Sequence, residues 1–224
     1  MSDYASMRAA MRLAMRRVLG GAGCVGAAAL LAACASAPAD HFYTLSGGDA
    51  NPATSTAPAA ANRIYIETLA VTVPAQVRRS QLVVTEGQGR VDLLENHRWA
   101  GPLAEEIGRA LSLKISADLK AIEVYRTPHP AGAPLYRIST SVQRFESAPG
   151  RYALLDATWS VRRMGGDESL ANDNLLTCRS VLREDVGQGY EALVAGHRAA
   201  LDKLAGAIAA AVRSQAGGAG TCPG

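Results

Sequence analysis

The chain has 224 residues and a formal net charge of +3. The first 33 residues hold four Arg and one Asp, which is +3, so the remaining 191 (224 − 33) are neutral. That length suffices for one domain with a sizeable core, and the neutral balance lacks the clustered positive charge that nucleic-acid binding requires.

The chain opens with Arg8, Arg12, Arg16 and Arg17, then runs uncharged and apolar from Val18 to Ala33. A basic start, a short apolar core and small residues at the end make a secretory signal peptide over residues 1–33. The run falls short of the roughly 20 residues a membrane span needs, and its glycines weaken it as a helix. Arg16-Arg17 hints at twin-arginine export, but Met15 and Val18-Leu19 fit that pattern poorly, and ordinary secretion is expected. Met7 is an alternative start. Leu31-Ala32-Ala33-Cys34 has the form of a bacterial lipobox, with Cys34 as the lipidated first residue after cleavage.

After the anchor, residues 34–62 read as a tether. Phe42-Tyr43-Thr44-Leu45 is a brief strand within it, aromatic and β-branched. Ser46 to Asn62 is rich in Gly, Ala, Pro, Ser and Thr, a flexible loop. A loop this long inside a domain is uncommon, so two readings stand. If the strand docks into the domain, the free tether is only Ala35–His41, about 25 Å at full extension. If it stays undocked, the tether runs to Asn62 and reaches roughly four times as far.

The domain restarts at Arg63. Ile64, Ile66 and, after a break, Leu69 and Val71 alternate like a strand up to Pro74. A connector carrying Arg78-Arg79 follows. Gln81–Thr85 and Arg90–Leu94 flank Gly87-Gln88-Gly89 as a hairpin. Past Trp99 and Gly101-Pro102, the residues Leu103, Ile107, Leu111, Ile115, Leu119 and Ile122 form one helical stripe. Pro102 suits its first turn, and Glu105, Glu106 and Lys120 suit its dipole. The period then changes. Ile122–Tyr125 is a short strand, Tyr136–Gln143 and Ala153–Arg162 alternate apolar and polar, Gly165-Gly166-Asp167 turns the chain, and Leu176–Val186 is the last strand. A final helix carries Tyr190, Leu193, Val194, His197, Leu201, Leu204, Ile208 and Val212 on one side. The expected fold is α+β over residues 63–215, a mostly antiparallel sheet with two amphipathic helices on one face, followed by a loose tail, 216–224.

No constellation for chemistry emerges. There is no Gly-x-Ser-x-Gly elbow, no pair of His or Cys at metal-ligand spacing, and no Gly-rich loop between a strand and a helix. No metal or cofactor is expected. His197 lies on an apolar stripe and reads as a hydrogen-bonded core residue; His97 has only the neighbouring Glu95 to suggest a site. Trp99 and Trp159 read as core anchors. Cys24 leaves with the signal, which leaves Cys178, among apolar residues, and Cys222. A bond between them closes a loop of roughly 45 residues and stabilises by about 4 kcal/mol in the chain-entropy model; both a bond and two free thiols remain open. Arg78-Arg79 and Arg162-Arg163 read as solvated charge, with contact to an acidic partner as the functional alternative.

Several pieces together resemble the PqiC-like ABC-transport auxiliary lipoproteins. They are the lipobox, Phe42-Tyr43-Thr44-Leu45 just after it, Val73-Pro74 followed by Arg79-Ser80-Gln81-Leu82-Val83, and Arg98-Trp99 leading into Pro102-Leu103-Ala104-Glu105. The match spans Cys34 to about residue 125. Where this family usually has an Asp-Arg pair before its Gln-Leu-Val segment, this chain has Val77-Arg78-Arg79, so no role of that Asp carries over. The resemblance implies a non-enzymatic adaptor that works with an inner-membrane permease, a cytoplasmic ATPase and a protein with mammalian-cell-entry (MCE) domains. Such systems move lipids between the two membranes and support envelope integrity, and some members form homo-oligomeric rings. Ala35, rather than Asp, after Cys34 implies the inner leaflet of the outer membrane. The competing expectations are a stand-alone structural or pilotin-like lipoprotein and a periplasmic enzyme that would depend on His97.

Overall fold

The structure, a computed structural model, describes residues 38–47, 63–164 and 175–223. The signal segment, Cys34, residues 48–62 of the loop and the Gly165-Gly166-Asp167 turn lie outside them. In chain order the elements are β1 (His41–Tyr43), β2 (Tyr65–Thr68), a 3-10 turn (Ala75–Val77), β3 (Gln81–Gly87) and β4 (Arg90–Trp99). They continue with α1 (Leu103–Leu119), β5 (Ile122–Glu123), β6 (Leu135–Ala148), β7 (Tyr152–Met164), β8 (Leu175–Asp185) and α2 (Tyr190–Ala216). The class is α+β, and the strands divide into two sheets: three strands in the order β1-β4-β3 and five in the order β5-β2-β6-β7-β8.

The five-stranded sheet follows from its alternation. Ile138, Val161 and Leu176 form one row across β6, β7 and β8, and Thr140, Trp159 and Cys178 the next. These side chains face the helices, while Ser139, Ser160 and Thr177 occupy the intervening row. An irregularity between Val142 and Arg144 inserts one residue. It flips the parity, so that Phe145 and Ser147 rather than even-numbered residues continue the buried side.

The β6-β7-β8 meander is antiparallel as expected, but β2 runs parallel to both its neighbours and β1 runs parallel to β4. Both sheets are therefore mixed. Only four residues long, β2 carries too little pattern to declare its direction; the α1 crossover to β5 decides it, since parallel neighbours need a long connection. Beyond Thr68 the chain still follows β6, through Leu69 N–H to Ile138 O and Thr72 N–H to Thr140 O.

Leu103, Ile107, Leu111 and Ile115 of α1 are buried in the main core. The helix stops when Lys120 enters the left-handed region at φ 50°. Ile122 consequently leaves the stripe and pairs with Tyr65 in β5. Buried Leu193, Val194, Leu201, Leu204, Ile208 and Val212 of α2 close the same side. Gly196 lets α2 approach the sheet: a Cβ there would meet Val186 Cγ1, with Ala153 Cβ at 3.1 Å.

The segment that reads as a loose tail folds back after α2. Thr221 N–H donates to Ser214 Oγ at 3.1 Å, and Cys222 reaches Cys178 on β8.

Candidate functional site

The site begins at β1. β1 lies beside the end of β4, with His41 opposite His97, Phe42 opposite Arg98 and Tyr43 opposite Trp99. Ala100 N–H then donates to Tyr43 O at 2.7 Å. The next two residues are held by side chains. Glu106 Oε2 accepts Thr44 Oγ1–H at 2.6 Å and Leu45 N–H at 2.8 Å. Glu106 is buried, and its carboxylate sits in the first turn of α1, where the helix dipole favours negative charge. From the other side, Arg198 of α2 donates through Nε at 3.0 Å and Nη2 at 2.6 Å to Thr44 O. Leu45 seals the clamp by entering the core. Gly101 keeps room for Glu106, since a Cβ there would lie 3.3 Å from Oε1. Tyr43, Thr44 and Leu45 are thus fixed by one strand and two helices, each satisfying backbone groups that burial would otherwise leave unpaired.

An aromatic cluster flanks the clamp. The rings of His41 and His97 stack at 4.9 Å, and Tyr190 approaches His97 at 4.2 Å. Tyr43 Oη lies 2.9 Å from His97 Nδ1 and donates to Glu191 Oε1 at 3.3 Å. Burial, with the Glu191 charge adding to it, raises the Tyr43 pKa above its ordinary value. The hydroxyl therefore keeps its proton and serves as a hydrogen-bonding pillar. Glu95, the neighbour that suggested a site at His97, instead accepts from Gln81 Nε2 at 3.4 Å.

Beside β1 opens a cleft of ≈ 500 Å³. Buried Trp99 and Leu103 line its depth, and Phe42 stands at its rim with 64% of its surface exposed. Arg78 and Arg79, from the connector before β3, and Arg98, from β4, supply its charge. Each guanidinium leans on one carbonyl: Arg78 Nη2 on Val73 O at 3.2 Å, Arg79 Nε on Gln76 O at 3.1 Å, Arg98 Nε on Glu95 O at 2.8 Å. A guanidinium has five donors, so most remain available. Among the described residues the ion pairs involve none of these three arginines.

The remaining expected residues lie elsewhere. Cys34 is outside the described residues. Cys178 and Cys222 form a disulfide, with Cα atoms 5.9 Å apart, on the far edge of the five-stranded sheet. His197 is buried: its ring stacks on Phe145 at 3.9 Å, and Nε2 lies 2.8 Å from Ser147 Oγ. Trp99 meets Phe145 edge-on at 6.0 Å, and Trp159 Nε1 donates to Ser180 Oγ at 3.0 Å; both are core residues. Sequence reasoning singles out neither Arg98 as a partner of Arg78 and Arg79, nor Arg198 as a clamp. The first two segments are some 20 residues apart and meet only through β3–β4 pairing; nothing local marks Arg198 among the other charges of its helix.

The family described as "ABC-type transport auxiliary lipoprotein component" matches residues 43–209. The chain belongs to that family. The match of this auxiliary lipoprotein component begins inside β1 and takes in the clamp and the three cleft arginines. Two solved structures share its fold. A crystal structure of an uncharacterized protein aligns with a TM-score of 0.56 at 16% identity, over 77% of this chain and 98% of that one. Protein XCC0632 from Xanthomonas campestris, of family DUF330, aligns with a TM-score of 0.51 at 12% identity, over 82% and 96%. No curated protein matches.

Proposed function

We propose that this auxiliary lipoprotein is held by lipid on Cys34 in the inner leaflet of the outer membrane. There it serves an intermembrane lipid transport system built from an MCE-domain protein, an inner-membrane permease and an ATPase. Its part is that of a non-enzymatic adaptor that seats and positions the periplasmic component, alone or as a ring of copies. The observation that carries this reading is the clamp on Tyr43–Leu45. A subunit that only needs tethering has no use for a docked leader, whereas one that positions a partner against a membrane needs a short, fixed stand-off. With β1 docked from His41 onward, the free segment is Ala35–Asp40, about 21 Å at most. The Cys178–Cys222 bond fits an exported chain, because disulfides persist outside the cytoplasm.

The test is affinity capture from membranes crosslinked in living cells, with the tagged protein as bait. Recovery of an MCE-domain protein together with its permease supports the reading. Recovery of an outer-membrane secretion pore instead, with unchanged detergent sensitivity on deletion, replaces it with the pilotin-like alternative.

A further inference from the structure

We infer that the cleft between β1 and the start of α1 binds the anionic headgroup of a phospholipid in the leaflet that carries the anchor. The inference rests on the lipid-anchored reading above but not on any transporter.

Charge supplies the first argument. Arg78, Arg79 and Arg98 converge on one cleft, and among the described residues no carboxylate pairs with them. Some arginines elsewhere pair with acids, Arg90 with Glu86, Arg144 with Glu146 and Arg179 with Asp156; what sets this cleft apart is that three without such a partner line it together. Leaving three uncompensated side by side costs self-repulsion, which an anion relieves, and the guanidinium fork matches phosphate oxygens bidentately.

Apolar surface supplies the second. Phe42 is the most exposed large hydrophobic side chain of the described residues, and it stands at the rim of this basic cleft. Trp99 and Leu103 extend the apolar wall inward. Charge beside a greasy rim is the signature of an interfacial site, in which the headgroup meets arginine and the first methylenes meet the aromatic ring. An acidic protein segment would satisfy the arginines but leave Phe42 in water.

Reach supplies the third. Phe42 is eight residues from Cys34, about 29 Å of extended chain. The rim therefore cannot leave the vicinity of the membrane surface.

The lipidated, cleaved protein, purified in a neutral detergent, is titrated with dihexanoyl-phosphatidylglycerol while Trp fluorescence and amide exchange over residues 97–104 are followed. We expect saturable binding and protection there, with dihexanoyl-phosphatidylcholine and inorganic phosphate each binding at least tenfold more weakly. Arg79→Gln and Arg98→Gln each weaken binding about fivefold, the scale of one arginine at an anionic surface. Phe42→Ser weakens lipid binding without changing phosphate binding, and Arg90→Gln, away from the cleft, changes nothing. The inference is overturned if the choline lipid binds equally well, if phosphate binds as tightly as the lipid, if polyglutamate outcompetes the lipid, or if the two arginine variants bind like the parent. Capture of the MCE-domain protein by the Arg79→Gln/Arg98→Gln double variant separates failure of this site from failure of the transporter role.

Discussion

At the residue scale, His197 shows how burial turns a versatile side chain into a structural one. It is fully enclosed, and desolvation lowers its pKa from 6.5 to about 3. Unfolding restores the ordinary value, so between these two limits the unfolded chain binds the extra proton. Stability is fully present above about pH 6.5 and falls by about 1.4 kcal/mol per pH unit as the pH drops toward 3. Asp156, held below the usual carboxylate range chiefly by hydrogen bonds from Arg179 and further by its charge, loses stability in the same direction at lower pH. His197→Gln keeps the Asp156 contribution and removes the imidazole. We expect urea midpoints at pH 7 and pH 5 to differ clearly less in His197→Gln than in the parent; equal differences would refute the assignment. Gly196 makes the opposite kind of demand. Gly196→Ala adds about 1 kcal/mol of helix propensity. It also drives a Cβ into Val186 and Ala153, an overpacking that costs about 1–3 kcal/mol. Net destabilisation in chemical denaturation is expected; a rise in stability would show that α2 has room to move.

At the scale of elements, β1 is three residues long and too short to stand alone. Its place depends on the side chains beyond it. Glu106→Ala removes the acceptor of both Thr44 Oγ1–H and Leu45 N–H, leaving a buried donor unpaired at a cost of about 1–3 kcal/mol. The measurable result is faster amide exchange at Leu45 and Ala100, the latter bonded to Tyr43 O, while the β6–β7 amides stay protected. Uniform acceleration across both sheets would mean that β1 is integral to global stability rather than a locally released strap. The elements themselves were readable to different degrees. The β6-β7-β8 meander was legible because apolar and polar residues alternate over Tyr136–Gln143 and Ala153–Arg162, and less regularly over Leu176–Val186. Ile122 reads in the sequence both as the last residue of the α1 stripe and as the first of the next strand; the left-handed turn at Lys120 gives it to β5. The strand after Gly89 ran on to Trp99, beyond its expected end at Leu94, because the pairing with β3 and β1 holds residues whose own pattern is polar.

At the scale of the whole molecule, the domain joins its entry segment, one cleft and two helices into a single unit that includes Asp40 onward. The clamp and the cleft are adjacent because both are built around the β4–α1 junction, Arg98 to Glu106. The resemblance noticed in the sequence and the match over residues 43–209 both run through that junction.

Some of this was determined by the sequence alone: the α+β class, the buried faces of both helices and the place of His197 in the core. These depend on local composition and on periods of two and 3.6, which any window of the chain displays. Only the tertiary structure decided the rest. The docking of Phe42–Leu45, the parallel direction of β2, the Cys178–Cys222 contact and the meeting of Arg98 with Arg78 and Arg79 all join residues far apart in the chain. A single sequence shows each partner but not the distance between them. Docking required Glu106 and Arg198 to converge on Thr44 from two different helices, 62 and 154 residues away.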